Sequence, residues 1–323
     1  MRAIYPTEHS LTITEAPLPR IKATEVLIKV HACGVNRADI LQRKGHYPPP
    51  VGESEVLGLE VSGEVVEVGS ICQHAHIGDR VFALLSGGGY AEYVAIDEDL
   101  LMPIPANLSF EQAAGIAEVF LTAYQSLFWL GNLTSSETIL IHAGAGGVGT
   151  AGIQLAKLAN ARIVVTTSSE QKAEVCKKLG AHHAINYKES DFAKEVLGIT
   201  NNNGVNVIVD SIGANYFKQN LTALAVDGRL VMLALQSGSK VDQLNLSQII
   251  SKRLTIVGST LRNRHIDYKK KLVSEFSRIY FPFFETGTLA PVVDSTFDWQ
   301  QADNALTLLG SNTTIGKIIL TGM

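Results

Sequence analysis

Ile139-Leu140-Ile141-His142-Ala143-Gly144-Ala145-Gly146-Gly147-Val148-Gly149 is the stretch whose reading decides the fold. Its branched, apolar start reads as a buried strand. The glycines that follow satisfy G-x-G-x-x-G through Gly144, Gly146 and Gly149. That pattern alone is weak. Here a strand precedes it, a helical run from Gly152 to Leu158 follows, and a second strand, Ile163-Val164-Val165, comes about 20 residues later, which is the context of a dinucleotide-binding turn. Glycine permits the tight turn and close approach of the backbone to a pyrophosphate. The helix N-terminus then offers free N–H groups and partial positive charge. The bland alternative is a glycine turn that serves close packing only.

Strand–helix alternation continues outward from this turn. Glu170 to Leu179 reads as a helix, and Val205 to Val209, Leu230 to Leu233 and Leu254 to Val257 read as strands. Such alternation predicts a parallel sheet covered on both faces. The region before residue 110 is different. Val26 to Val30, Val61 to Val68 and Val81-Phe82-Ala83 are Val/Ile-rich runs bounded by turn residues, and Pro48-Pro49-Pro50 must be loop. This part reads as a compact β-rich domain. The tail has one helix near Tyr268 to Arg278 and ends in a strand-like run, Gly316 to Leu320.

The chain has 323 residues, 46% hydrophobic and 18% charged, enough for about two domains. A net charge of −4 without a basic block argues against a nucleic-acid or anionic-membrane partner. Cys33, Cys72 and Cys176 are scattered and form no Cys-x-x-Cys, which suits a reducing, cytoplasmic compartment. The start of the chain lacks a signal peptide's apolar stretch. The most apolar window, Ala113 to Leu130, carries Glu118, Thr122 and Gln125 and reads as a buried helix rather than a membrane span.

Cofactor choice turns on the end of the second strand, where NAD sites place an acid on the ribose 2′-hydroxyl. Here the tip reads Thr166-Thr167-Ser168-Ser169-Glu170-Gln171-Lys172. Hydroxyls and Lys172 suit a 2′-phosphate, so spacing favours NADP. A shift of the strand end would instead make Glu170 an NAD-type acid. Lys172 as a solvated helix lysine and Ser168 as a helix N-cap are the structural alternatives.

Glu137 to Lys157 resembles the signature of the quinone oxidoreductase/ζ-crystallin family, a zinc-free branch of the medium-chain dehydrogenase/reductase superfamily. The likeness extends through Val35-Asn36-Arg37-Ala38-Asp39, Gly45-His46-Tyr47-Pro48, Leu57-Gly58-Leu59-Glu60, Gly78-Asp79-Arg80-Val81, Gly89-Tyr90-Ala91-Glu92-Tyr93-Val94 and Ile315-Gly316-Lys317-Ile318. It is greatest for the p53-inducible quinone oxidoreductase branch. The resemblance implies an α/β protein: a Rossmann doubly wound parallel sheet plus a GroES-like β-rich substrate domain. The expected boundaries are 1–117 for the GroES-like domain, 118–258 for the Rossmann domain and 259–323 for the return to the catalytic domain, with cofactor and substrate in the cleft between them. It implies NADPH, held by Gly144, Gly146, Gly147, Val148 and Gly149, with Ser168, Lys172 and Tyr187 around the 2′-phosphate. It also implies a homodimer that pairs Rossmann sheet edges.

Zinc-dependent relatives carry a cysteine and a histidine where this chain has Asn36 and Leu59, neither of which is a ligand for such a site. The four-cysteine structural lobe is also missing, with Gly87-Gly88-Gly89 in its place, and His74-x-His76 lies in a polar turn. No metal is therefore expected. The simplest chemistry is direct hydride transfer to a quinone, whose carbonyls are already electron-poor. Asn36 could orient substrate or cofactor, and Tyr47 could hydrogen-bond a developing oxyanion. Against these stand a turn cap for Asn36 and packing beside the proline loop for Tyr47. Arg37 and Asp39 read as a local ion pair, and Asp210 as either a cofactor-cleft or a structural residue. The competing activity is a 2-enoyl thioester or enone reductase with Tyr47 as proton donor. A cofactor-binding structural or RNA-binding role comes third.

Overall fold

The computed structural model describes residues 1–7 and 10–323. They form two compact units, one of Met1–Leu121 with Leu261–Met323 and one of Thr122–Thr260. Residues 118–121 thus belong with the first unit, and 259–260 with the second. The reason at the first boundary is local. The helix Ala117–Tyr124 is anchored at its start by Glu60 of the first unit, which accepts the Glu118 N–H at 2.8 Å.

The first unit is built on a seven-stranded sheet. Its spine is Glu25–Val35, buried along most of its length and paired antiparallel with Glu60–Val68, Tyr93–Asp97 and Lys317–Thr321. Ile319 sits opposite Gly34 and Leu320 opposite Cys33, so the last strand delivers Lys317 beside Val35 and Asn36. Gly34 must be glycine, because a Cβ there would collide with the Glu60 carboxylate and the Ala114 carbonyl. The tail helix runs Ile266–Glu285, well past Arg278 and through Pro282. Proline removes one helical hydrogen bond, but Phe276, Tyr280 and Phe284 recur at i, i+4 and i+8 on a buried face, and Phe276 and Phe284 both meet the Phe120 ring. That apolar face carries the helix across the proline.

The second unit is a six-stranded parallel sheet in the order His183–Asn186, Arg162–Thr167, Thr138–Ile141, Val205–Asp210, Leu224–Met232, Thr255–Gly258. Its core joins Leu140, Val164, Ile208 and Leu230 of adjacent strands to Phe192 and Val196 of a covering helix. The order reverses between Thr138–Ile141 and Val205–Asp210, the topological switch point at which such sheets bind ligands. The apolar stretch near residues 110–130 breaks into helices Phe110–Ala113 and Ala117–Tyr124 and a π-helical turn, Gln125–Leu130. It is long and apolar enough to cross a membrane by composition, yet 72% of that window is buried in protein, as in a core helix.

Candidate functional site

At the switch point the strand Thr138–Ile141 passes through residues 142–146 into the helix Gly147–Leu158. The helix begins at Gly147 rather than Gly152, because the motif's later glycines form its first turn. Thr150 N donates to Gly146 O at 2.8 Å, so the N–H groups of Gly147, Val148 and Gly149 have no intrahelical acceptor and remain available to an anion. The three motif glycines serve different needs. A Cβ on Gly144 would stand 2.6 Å from the Val165 Cβ, and one on Gly149 would collide with the carbonyls of Ala143 and Gly144. A Cβ on Gly146 would meet only Ala143 O, at 3.3 Å, with no other heavy atom within 4 Å.

A buried relay holds this loop. Ala143 takes a left-handed φ of 53°, a conformation costing L residues roughly 1–2 kcal/mol. Its N–H donates to Thr166 Oγ1 (3.3 Å), and its carbonyl accepts from Gly146 N (2.9 Å). Thr166 Oγ1 also meets His142 Nδ1 at 3.0 Å. On the ring's other side, Asn220 donates Nδ2 to Asp210 (2.9 Å) and so turns Oδ1 toward His142 Nε2 (2.7 Å). His142 Nε2 is therefore the donor and Nδ1 the acceptor. Burial holds its pKa below the usual imidazole value, against the opposing pull of Asp210. Asp210 is fully buried and also accepts from Ile212 N and Gly213 N, which makes it structural.

The end of the second strand fixes where Glu170 lies. The strand stops at Thr167, Ser168 follows it, and Ser169 rather than Ser168 caps the next helix by accepting from Lys172 N at 3.3 Å. Glu170 lies in the first helical turn, exposed and 3.7 Å from Lys177 Nζ. Tyr187 follows the neighbouring strand, and its N–H donates to Thr167 O at 3.1 Å. Ser168, Lys172 and Tyr187 thus all belong to segments at the C-terminal ends of two adjacent strands.

The first unit holds a second polar group. Lys317 is 3% exposed, and its ammonium donates to Val35 O (2.7 Å), Asn36 Oδ1 (2.6 Å) and Glu60 Oε1 (2.7 Å). Asn36 Nδ2 donates to Glu60 Oε1 (3.0 Å) and Gly34 O (3.3 Å). The expectation that Asn36 offers its amide to substrate or cofactor is therefore corrected. Both donors are engaged inside the protein, and the residue also stands at the N-cap of the helix Arg37–Arg43. The expected Arg37–Asp39 pair does not form. Arg37 reaches Leu309 O and Asn312, while Asp39 turns inward to Asn36 N (2.7 Å), Gly58 N (3.2 Å) and Tyr90 Oη (3.0 Å). Burial raises the Asp39 pKa to about 6. Among the described residues no group of three His, Cys, Asp or Glu side chains could hold a metal. An ammonium is bound to Glu60, and Leu59 is apolar and buried, so the residues present do not fit a catalytic zinc.

Tyr47 is half-buried. The Arg262 guanidinium lies 5.3 Å from its ring centroid, and Nη1 donates to Tyr47 O at 3.2 Å. Arg262 Nε donates to Ser86 O (2.7 Å) and Lys269 Nζ to Ser86 Oγ (2.7 Å). Both cations are at least nine-tenths buried, and Arg262 Nη2 has no hydrogen-bond acceptor among the described residues. Burial, then the charge of Glu118, raises the Tyr47 pKa, so its phenol stays a neutral donor. Sequence reading missed Lys317, Glu60, Glu118 and Arg262 as members of these groups. A charged residue inside or opening an apolar run was the available signal for Lys317 and Glu118.

Two family profiles match the chain, the second of them running past the second unit into residues 261–278 of the first. The alcohol dehydrogenase GroES-like domain profile matches residues 22–106, and the zinc-binding dehydrogenase profile matches 147–278. The quinone oxidoreductase-like protein 2 homolog of Nematostella vectensis is 32% identical over 92% of this chain and 81% of its own length. The crystal structure of Escherichia coli quinone oxidoreductase complexed with NADPH superposes with a TM-score of 0.89 at 30% identity, covering 99% of both chains. The CurK enoyl reductase superposes at 0.87 with 27% identity, covering 99% of this chain and 98% of its own.

Proposed function

Because this chain belongs to the quinone oxidoreductase-like group of the medium-chain dehydrogenases and reductases, we propose that it reduces quinones with NADPH and without zinc. The observation that carries this reading is the Lys317–Glu60–Asn36 group. Reduction of an unactivated carbonyl calls for a Lewis acid or a strong proton donor at its oxygen. The donors here suit no metal, so the fitting acceptor is one already electron-poor, such as a quinone.

The glycine loop fits the cofactor through the free N–H groups of Gly147, Val148 and Gly149 and the open side of Gly146. Ser168, Lys172 and Tyr187 would hold the 2′-phosphate, and no acid takes their place at the strand end. When bound, NADPH supplies the hydride. The Tyr47 phenol donates a hydrogen bond to the acceptor oxygen as negative charge grows on it. Asn36 acts as a positioning residue, fixed between Glu60 and Lys317. Three free cysteines, two of them buried, accord with a reducing cytoplasmic setting. A homodimer joined along the edge strand Thr255–Gly258 completes the proposal, with Val226, Leu246 and Ile250 exposed nearby.

The test is NADPH oxidation by chelator-treated protein, with an ortho-quinone in one assay and a trans-2-enoyl thioester in another. Quinone turnover that survives chelation and exceeds the NADH rate supports the reading. Turnover of the thioester alone, lost in Tyr47→Phe, moves the protein to the second reading, an enoyl reductase. A phenol poised to donate, together with the likeness to CurK enoyl reductase, favours that alternative.

A further inference from the structure

The His142 imidazole is buried in the second unit, one residue before Ala143. Its ring meets Phe192 and Tyr216 edge to face, with centroids 4.8 Å away in both cases, which fixes its plane. The hydrogen bonds around it run in one direction. Asp210 accepts from Ile212 N (2.6 Å), Gly213 N (3.2 Å) and Asn220 Nδ2 (2.9 Å). An amide that donates through Nδ2 to that carboxylate presents Oδ1 to the ring, where His142 Nε2 donates to it at 2.7 Å. The neutral ring then carries a lone pair on Nδ1, which accepts from Thr166 Oγ1 at 3.0 Å. With its proton committed there, the Thr166 oxygen turns a lone pair to Ala143 N–H, 3.3 Å away. Thr166 O also accepts from Gly144 N at 2.9 Å, so one threonine holds two successive loop N–H groups. Among residues 142–149 only Ala143 has a left-handed φ, which alanine adopts at a cost and glycine does not. The Ala143 carbonyl passes the constraint on, since it accepts from the N–H of Gly146, the N-cap of the helix Gly147–Leu158.

Resting on the reading of the glycine loop as a dinucleotide site, we propose that His142 is a positioning residue for the cofactor. As its Nε2–H tautomer it orders the Thr166 hydroxyl, which pins Ala143 in its left-handed turn and so aims the N–H groups of Gly147, Val148 and Gly149 at the pyrophosphate. It acts through Thr166 and not on the cofactor itself. Each link sets the next: the Asp210 carboxylate sets the amide of Asn220, the amide sets the tautomer, and the tautomer sets the hydroxyl. The chain ends on the one residue of the loop whose backbone conformation its side chain opposes.

Two measurements test this. In cofactor-free protein carrying nitrogen-15 histidine at neutral pH, the His142 signals, assigned by their loss in His142→Phe, should show a protonated Nε2 and a bare Nδ1. The second measurement is NADPH binding by fluorescence titration. Thr166→Val and His142→Phe should each weaken binding roughly 10-fold. The double variant should bind no worse than either, because both cut the same chain. Adding Ala143→Gly to Thr166→Val should recover most of the lost affinity, because glycine takes the left-handed turn unaided. A network that only stabilises the core would lower the melting temperature without that recovery. Circular dichroism controls for folding, and Thr166→Val, which keeps the shape of the side chain, carries the test if His142→Phe does not fold. A protonated Nδ1, native affinity in Thr166→Val, additive losses or no recovery by Ala143→Gly each overturns the proposal. Native protein that shows the expected tautomer yet binds no dinucleotide overturns the dinucleotide reading and the positioning role with it, while the order of the hydrogen bonds stands.

Discussion

Lys317 and Glu60 meet at 2.7 Å with their side chains only 4% and 0% exposed, joining the last strand of the chain to a strand that flanks the spine of the first unit's sheet. A buried ion pair of this kind adds little net stability over an apolar pair, but breaking it leaves one charge without a partner or water.

Lys317→Met should therefore destabilise the protein by about 3–5 kcal/mol in urea unfolding. Adding Glu60→Gln removes the stranded charge and keeps an acceptor for Asn36 and the Glu118 N–H, so the double variant should recover a large part of the loss. A double variant no more stable than Lys317→Met would show that loss of the Lys317–Glu60 pair is not what destabilises that variant.

If Ser168 and Lys172 hold the 2′-phosphate as proposed, Ser168→Asp combined with Lys172→Ala should exchange that preference for one toward the ribose hydroxyl. Charge-assisted contacts of about 1.5–3 kcal/mol correspond to roughly a 10–100-fold rise in KM for NADPH, with NADH improved. Steady-state kinetics with both cofactors reads this directly. Equal use of NADH and NADPH by the unaltered protein would remove the basis for the assignment.

The loop glycines separate stability from binding. Gly144→Ala pushes a methyl into Val165, and Gly149→Ala pushes one into loop carbonyls, so both should lower the melting temperature. Gly146→Ala has only one contact, at 3.3 Å, and should melt near the native value while binding NADPH weakly, as titration calorimetry would show. Native affinity in Gly146→Ala would mean that the pyrophosphate does not lie against that glycine.

Burial, then the charge of Glu60, raises the Glu118 pKa to about 8, which sets a pH signature in stability. The folded state holds this proton up to about pH 8, whereas an unfolded glutamate loses it near the ordinary value of 4.5. Stability contributed by this group is thus full at low pH and declines as pH rises between those values. Glu118→Gln carries no titrating proton, so its melting temperature should gain on that of the native protein between about pH 5 and pH 9. Parallel melting curves across that range would contradict the shifted carboxyl.

Ile250→Lys should convert a dimer into monomers without loss of fold, because the side chain is 78% exposed beside the outer strand of the parallel sheet. Light scattering distinguishes the outcomes, and an unaltered monomeric native protein would dispose of the edge-paired dimer.

The second unit was largely legible from sequence because its signals are local. Strand runs such as Ile139 to Ile141 are apolar throughout, and the glycine pattern follows within a few residues. The helix start was displaced, since glycines read as loop turned out to be helical N–H donors, and the strand read from Leu230 begins at Leu224. The polar group of the first unit was not legible. Lys317 and Asn36 are 281 positions apart, and no periodicity reports such a meeting. Tyr47 was singled out through its motif, whereas Arg262 stands near it only because the chain returns at residue 261. The Arg37–Asp39 expectation failed for a related reason. Sequence proximity favoured a surface pair, but the inward turn of Asp39 toward Tyr90 depends on a residue 51 positions away.

The pairing of Lys317–Thr321 with Glu25–Val35 also sets an order of events during synthesis. Residues 122–260 are contiguous and can close their sheet as they leave the ribosome. The first unit must wait for its final strand. Until then Glu60 has no cation beside it and the central strand keeps an open edge, so residues 1–121, made before the second unit, complete their fold after it.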